Sequence, residues 1–270
     1  MEFTKIQYAG RDYILIENTQ IAQNTSLPSL AKHICNRYSG AGACGLIILD
    51  TEKTAIDVYS HKGIKSDCDL SAAICTAVYR CAENGISHTA INQNSDLTDI
   101  LIQKQQNGFD VTADLGIATF LPDEIPLVSP DSVISRPVEV GNRILNLTAL
   151  RLGNIFAVHE TQSVADINFL SLGEKITKHS LFNKKASAVF CERLSDSELF
   201  IRSYINGVGA VLSDAAASAA AVLALSQTGS LETGREFTVK SEGDEIYVLC
   251  KPDGSALVHT KAQIVYTGTA

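Results

Sequence analysis

The chain contains an internal repeat, and this repeat constrains its fold more than any other feature of the sequence. Residues 10–17 and 153–160 share one order of glycine, polar, aromatic, aliphatic and glutamate positions. Asp69 opens an apolar stretch that ends at Gly85, and Asp214 opens a second one that ends at Gly229. We therefore predict two similar halves that can each offer one aspartate to a group held between them. Such an arrangement is typical of isomerases that work with two acid/base groups.

Composition excludes several classes of function. The 270 residues are enough for two domains with their own cores. A net charge of −8 without any basic cluster argues against nucleic acid as a partner. The longest apolar run, residues 215–225, is too short to span a bilayer, and the N-terminus lacks the layout of a signal peptide, so we predict a cytoplasmic protein without membrane contact. Seven cysteines without a C-x-x-C pair indicate neither a disulfide framework nor a metal site.

The hydrophobic pattern predicts strands and helices in the same order in each half. The stretches after Asp69 and Asp214 have hardly any polar face, and a helix that is apolar all round is normally buried all round. A sheet wrapped around each helix would explain both. Besides these two helices, we predict a helix over residues 29–38 and strands over residues 3–8, 12–17, 45–50, 55–59, 237–240, 245–250 and 256–259.

A proline-rich segment marks the connection between the halves. Residues 120–130 hold three of the six prolines of the chain. We therefore place one domain at residues 1–128 and the other at residues 129–261, with a last strand over residues 262–270 returning to the first.

Several short motifs, in order and at matching spacing, make the chain resemble the diaminopimelate epimerase family. They are Met1-Glu2-Phe3-Thr4-Lys5, Gly10-Arg11-Asp12-Tyr13, Cys35-Asn36-Arg37, residues 40–46, residues 112–116, Leu152-Gly153-Asn154, Gly207-Val208-Gly209 and residues 265–270.

The resemblance implies a fold and a type of reaction. The fold is α/β (α+β), with two pseudo-symmetric domains that each wrap a curved sheet around a central helix, and the site lies in the cleft between them. The reaction is a cofactor-free epimerisation, in which one cysteine thiolate removes an α-proton and a second cysteine returns one from the opposite face. Both cysteines sit at the N-termini of the central helices, where the helix dipole favours the thiolate. Relatives of this kind usually form dimers.

The chain departs from the family at both catalytic positions. Aligned on the motifs, the two cysteines are replaced by Asp69 and Asp214, although a slip of one residue would bring Cys68 onto the first position. The resemblance also assigns substrate-binding positions to Arg11, Ser60, Ser71, Asn154, Ser187, Gly209 and Ser213.

Two interpretations of the aspartates remain open. In the first, Asp69 and Asp214 serve only to cap buried helices, because aspartate is among the best N-cap residues. Alternatively, the pair performs acid/base chemistry on a substrate whose C–H bond is already acidified. Arg11 is likewise either a solvated cation at a strand end or the partner of a substrate carboxylate.

The sequence therefore supports two hypotheses of different classes. The first is a cofactor-independent isomerase or racemase acting on a small amino acid or activated carboxylic acid. The second is a catalytically silent homologue that binds a ligand or pairs with an active paralogue. In either case we expect a homodimer or a heterodimer with a paralogue.

Overall fold

The chain consists of two compact units, each defined by contacts among its own residues. In the computed structural model, which describes residues 1–94, 96–183 and 185–270, unit 1 contains Met1–Asp114 and His259–Ala270, and unit 2 contains Leu115–Val258. The domain boundaries predicted at residues 128 and 261 remain a prediction.

Unit 1 is a closed sheet built around one helix. Its strands pair in the order β1-β2-β3-β4-β5-β6-β7-β16, and β16 pairs in turn with β1, which closes the sheet. Helix α2 packs against β1, β2, β3, β5 and β6. The elements are β1 (Glu2–Tyr8), β2 (Arg11–Glu17), α1 (Leu27–Ile34), β3 (Gly45–Asp50), β4 (Ala55–Ser60), α2 (Leu70–Asn84), β5 (His88–Gln93), β6 (Asp96–Gln105), β7 (Gly108–Ile117) and β16 (Ser255–Thr269), of which the last two extend into the residues of unit 2.

Unit 2 has a second sheet around a second helix. Its strands follow the order β16-β15-β14-β12-β11-β10-β9-β8, with β13 paired to β12. Helix α4 packs against β9, β10, β11, β12 and β15. The elements are β8 (Arg136–Val140), β9 (Arg143–Leu152), β10 (Asn154–Thr161), α3 (Phe169–Thr177), β11 (Ser187–Arg193), β12 (Glu198–Ile205), β13 (Gly209–Val211), α4 (Ala215–Gln227), β14 (Arg235–Lys240) and β15 (Glu245–Cys250).

The repeat seen in the sequence is present in the strand pairing. In unit 1, β1–β2 is antiparallel, β2–β3 parallel, β3–β4 antiparallel, β4–β5 parallel and β5–β6 antiparallel. In unit 2 the same alternation runs through β9–β10, β10–β11, β11–β12, β12–β14 and β14–β15. The predicted fold class, an α+β protein with pseudo-symmetric halves that each wrap a sheet around a central helix, is confirmed.

A tight turn fixes where β2 begins. Tyr8 pairs with Arg11 across the β1–β2 hairpin, which leaves Ala9 and Gly10 as the turn. Their φ angles are 45° and 83°, and a two-residue turn with both φ angles positive matches the twist of the strands it joins. The turn therefore makes Arg11 the first residue of β2.

Helix α1 is shorter than the sequence pattern predicts. The expected helix over residues 29–38 is observed at Leu27–Ile34. The side-chain oxygen of Asn36 accepts hydrogen bonds from the amides of Tyr38 and Ser39, at 2.8 and 3.1 Å. These local bonds give the backbone an alternative to the helix, and the helix ends before them.

Both central helices are buried as predicted. All residues from Ala215 to Leu225 of α4 are buried, and seven of these eleven are alanines. Small side chains allow strands to approach the helix axis from several directions. Within the part of the chain that the structure describes, no helix is both long enough and apolar enough to cross a membrane.

Asp12 holds the loop that follows α1 against strand β2. Its carboxylate accepts bonds from both terminal nitrogens of Arg37, at 3.0 and 2.7 Å, and from the amide of Cys44, at 2.9 Å. The ammonium group of Lys5 lies 3.1 Å from the same carboxylate. Burial by itself raises the pKa of Asp12, but the hydrogen bonds from Arg37, Cys44 and Lys5 outweigh it and lower this pKa below its ordinary value.

The tight packing around α4 leads to a prediction about side-chain size. Ala220→Leu adds three heavy atoms at a fully buried position of α4 and should reduce the free energy of unfolding by about 1–3 kcal/mol. The matched control is Gln227→Leu at the exposed end of the same helix. This substitution should change the free energy of unfolding by less than about 0.5 kcal/mol. Urea unfolding measures both, and an equal effect of the two substitutions would contradict the packing.

The ion pairs of Asp12 lead to a prediction about acid stability. The pKa of Asp12 is lower in the folded chain than in the unfolded one. The Asp12 carboxylate therefore contributes to the free energy of unfolding at neutral pH, and this contribution is lost as the pH falls through the pKa of the folded state. Asp12→Asn should therefore cost roughly 1–2 kcal/mol at pH 7. The difference from the wild type should shrink between about pH 4 and pH 2. Urea unfolding across this range tests the prediction, and a difference that is independent of pH would contradict it.

Candidate functional site

Asp69 caps the N-terminus of α2. Its Oδ1 accepts a hydrogen bond from the amide of Ala72 at 3.1 Å, which satisfies one of the amides that a helix leaves without an internal partner. The amide of Asp69 donates to Oε1 of Gln93 at 2.7 Å, and Nε2 of Gln93 donates to the carbonyl of Ser66 at 3.0 Å. The side chain of Gln93 thereby fixes the backbone that enters the helix.

The buried phenol of Tyr13 donates to the Asp69 carboxylate. Its hydroxyl lies 3.0 Å from Oδ1 and 2.9 Å from Oδ2 of Asp69. Burial is the main cause that raises the pKa of Tyr13 well above its ordinary value, and the charge of Asp69 acts in the same direction while Arg11 acts against it. The phenol therefore keeps its proton and remains a hydrogen-bond donor.

Arg11 is a buried cation next to Asp69, so the interpretation of this residue as a solvated strand-end cation is wrong. Only 2% of Arg11 is exposed, because it begins β2 on the side that faces α2. Its Nη2 lies 3.6 Å from Oδ2 of Asp69, and its Nη1 donates to the hydroxyl of Ser71 at 3.1 Å. The guanidinium also lies over the ring of Tyr13, and Tyr8 hydrogen-bonds to the hydroxyl of Ser71.

Two other residues suggested by the sequence, Ser60 and Cys68, make hydrogen bonds near the start of α2 in the sequence. The hydroxyl of Ser60 accepts bonds from the amides of Lys62 and Ile64, both at 3.3 Å, and so stabilises the turn after β4. Cys68 is buried one residue before the cap, where its carbonyl accepts a bond from the hydroxyl of Ser66 at 2.8 Å. The N-cap position of α2 is occupied by Asp69 and not by Cys68.

In unit 2, Asp214 occupies the position that Asp69 occupies in unit 1. It is the N-cap of α4, and its Oδ1 accepts a hydrogen bond from the amide of Ala217 at 2.8 Å. Its backbone carbonyl accepts a bond from the hydroxyl of Ser218 at 2.9 Å. Asp214 is 4% exposed, so the carboxyl group is buried with the helix it caps.

The remaining candidates of unit 2 are Ser213, which precedes Asp214, and three residues at the starts of strands. Ser213 is 1% exposed, and its hydroxyl has no hydrogen-bond partner among the residues that the structure describes. The hydroxyl of Ser187, at the start of β11, accepts a bond from the amide of Asn206 at 3.1 Å. Asn154 begins β10 and is partly exposed, and Gly209 begins β13 with a φ of 117°, which few other residues adopt.

Three buried apolar residues are neighbours of candidate residues in the chain or in the sheet. Phe156 pairs with Ser187 across β10 and β11, and Ile205 pairs with Gly209 across β12 and β13. Leu70 directly follows Asp69. All three are buried, and Phe156 is only 1% exposed.

Sequence reasoning missed the partners of Asp69. Tyr13 and Gln93 lie 56 and 24 residues from it along the chain. Both belong to strands, where their pattern indicates only a place in a sheet. The sequence suggests that a buried aspartate needs a hydrogen-bond donor, such as an aromatic hydroxyl. It does not show which hydroxyl lies near the aspartate in the fold. Within the described residues, no group of three or more histidine, cysteine, aspartate or glutamate side chains is arranged to hold a metal ion.

Comparisons of the sequence with known proteins find similar chains that are described as diaminopimelate epimerases. No protein-family model matches the chain. Diaminopimelate epimerase from Carboxydothermus hydrogenoformans is 27% identical over 273 residues, covering 99% of this chain and 98% of the relative. Diaminopimelate epimerase from a Cyanothece species is 27% identical over 279 residues, covering 99% of both chains.

Solved structures show the same fold at lower identity. A predicted epimerase from Pseudomonas aeruginosa matches with a TM-score of 0.71 at 12% identity, covering 100% of this chain and 98% of that one. A probable proline racemase from Agrobacterium radiobacter gives a TM-score of 0.72 at 12% identity, with 100% and 92% covered. A phenazine biosynthesis protein of the PhzF family from Bacillus anthracis gives 0.67 at 11% identity, with 99% and 98% covered. The predicted resemblance is confirmed: the chain is similar in sequence to diaminopimelate epimerases over 99% of its residues, and its fold is that of solved structures described as epimerases and racemases.

Proposed function

We propose that this chain is a cofactor-independent isomerase that moves a proton on a small amino acid or activated carboxylic acid. One observation carries the proposal: each unit presents an aspartate as the N-cap of its buried central helix, at equivalent points of a repeated fold. The similarity to epimerases along the whole chain supports the reaction class.

The proposed chemistry divides proton removal and proton return between the two aspartates. Asp69, which accepts a hydrogen bond from Tyr13 and lies next to the guanidinium of Arg11, would act as the base. Asp214 would return a proton from the other face of the substrate. Because a carboxylate is a weaker base than a thiolate, the substrate needs a C–H bond acidified by a ketone, an enamine or a conjugated double bond.

Substrate contacts in this proposal come from the polar residues around the two caps. Arg11 already contacts Asp69 and Ser71, so it would meet a substrate carboxylate only beside the base. In unit 2, Ser187, Ser213, Asn154 and the backbone of Gly209 would bind the rest of the substrate. Ser60 and Cys68 complete the set predicted from the resemblance.

Hydrogen exchange provides the direct test. The purified protein is incubated in deuterated water with LL- and meso-diaminopimelate, common amino acids, β,γ-unsaturated acids and 2-keto acids, and C–H exchange is followed by proton NMR. We expect exchange with an activated acid, and we expect Asp69→Asn and Asp214→Asn each to reduce it at least about 100-fold, because each removes an acid/base group.

The asparagine variants separate catalysis from capping. Asparagine caps a helix about as well as aspartate, so Asp214→Asn should keep the fold while the acid/base group is lost. Asp69→Asn also removes the charge opposite buried Arg11, so its exchange is measured at a temperature where urea unfolding shows the variant to be folded. Asp196→Asn, an exposed substitution of the same type, is the control and should leave exchange unchanged. Exchange by the wild type that survives both cap substitutions would disprove the assignment of the aspartates.

A second candidate, a catalytically silent homologue, is favoured by the contacts of Asp69. Both of its oxygens accept a bond from Tyr13, Oδ1 also accepts from Ala72, and Arg11 lies beside Oδ2. A carboxylate with these partners is well suited to a structural role. In this case the chain would bind a small acid without converting it, or act as the partner subunit of an active paralogue, and no compound would exchange.

The structural role of Asp69 leads to a further prediction. Asp69→Ala removes a helix cap and the charge opposite buried Arg11, and should cost roughly 3–5 kcal/mol. Asp214→Ala removes a cap and should cost about 0.5–2 kcal/mol. Urea unfolding of both variants provides the comparison.

A double variant isolates the contribution of the buried charge. Adding Arg11→Leu to Asp69→Ala should recover part of the loss, because the cation left without its carboxylate is removed as well. Two outcomes would contradict an energetic coupling between Arg11 and Asp69. One is an equal loss of stability in Asp69→Ala and Asp214→Ala, and the other is no recovery in the double variant.

A further inference from the structure

We propose that unit 2 contains a second binding site, at the C-terminal end of α4, for a small alkylamine: a primary ammonium group on a short methylene chain. This inference is independent of the proposed function, because it rests on other residues. Helix α4 has 13 residues and is therefore about 20 Å long, which separates its C-terminal end from Asp214 at its N-terminus.

The site is a cavity with a volume of about 430 Å³ between β9, β10 and the last turn of α4. This volume lies within the range of roughly 300–1,000 Å³ that is common for small-ligand sites. Strands β9 and β10 and helix α4 supply most of the lining, and residues next to their ends, such as Gln162 and Ser230, complete it.

Three buried apolar side chains form part of the cavity wall, namely Val158, Ala224 and Leu225, and the other lining residues are polar. Thr148 adds one buried hydroxyl, which accepts a bond from the amide of Ser135 at 3.0 Å. A short methylene segment fits against the three apolar side chains, and the polar lining offers acceptors to an ammonium group.

The rim carries a negative charge without a positive one. Glu160 is the one ionisable side chain among the residues that line the cavity, and the hydroxyl of Ser230 lies 3.3 Å from its Oε2. The nearby Arg193 donates to the carbonyl of Ser230 at 2.9 Å, and its charge is balanced by Asp196 at 3.0 Å. Glu160 therefore remains available to a cation.

The helix end adds to the negative potential. The C-terminus of a helix carries roughly half a negative charge, and the last turn of α4 contains no basic residue to offset it. Side-chain amides of Asn146 and Gln162, also on the lining, offer oxygens as further acceptors. A carboxylate, a helix C-terminus and amide oxygens together favour an ammonium donor over an anion.

Titration calorimetry at low salt tests the site with 1,4-diaminobutane as the probe and 1,4-butanediol as its uncharged counterpart. We expect the wild type to bind the diamine and not the diol. Glu160→Gln keeps the size of the side chain but removes its charge, and should weaken binding about tenfold or more. Glu236→Gln, an exposed substitution on β14 with the same change in net charge, is the matched control and should leave binding unchanged.

The other outcomes overturn the proposal. Equal weakening by Glu160→Gln and Glu236→Gln would indicate diffuse attraction to a chain with a net charge of −8. Binding of the diol as tightly as the diamine would indicate a polyol site, and no binding of either compound would remove the site. Unfolding midpoints of both variants should match the wild type, and amide NMR shifts confined to residues around α4 and β10 should accompany the diamine.

Discussion

Burial of an entire helix inside a sheet is the constraint on which each unit of this chain depends. Helices α2 and α4 present almost no polar face, so the strands must cover them on all sides, and their first amides lose access to water. An amide left without a partner in such a place costs about 1–3 kcal/mol. Asp69 and Asp214 each satisfy one of these amides, which lowers the cost of burying the helices.

The same constraint limits the chemistry available to the two aspartates. A carboxylate that caps a helix has part of its hydrogen-bonding capacity committed to the backbone. Asp69 is committed further, because Tyr13 donates to both of its oxygens and Arg11 lies beside it. The two carboxylates are equivalent in position, because each caps the central helix of its unit. A proton-transfer mechanism would use both groups, and a silent homologue would retain the same residues for stability alone.

The regular elements followed from the sequence, and the departures have local causes. Alternating or continuous runs of apolar and β-branched residues predicted β1, β2, β3 and β4 nearly to the residue, and the apolar stretches after Asp69 and Asp214 predicted the two buried helices. Helix α1 ends early because the side chain of Asn36 binds the backbone that would have continued it. Arg11 was open to two interpretations because a strand-end arginine is usually solvated, and only the packing of α2 against β2 buries it.

The sequence by itself determined the repeat, the two capped apolar helices and the resemblance to an epimerase family, because these depend on residue type and spacing along the chain. Tertiary structure alone decided which side chains surround each aspartate. Tyr13, Gln93 and Arg11 reach Asp69 through strand register and the closing of the sheet, and the cavity beside Glu160 exists because β9 and β10 pass the end of α4. Contacts between residues far apart in the chain arise from packing, and local patterns of hydrophobicity do not encode them one by one.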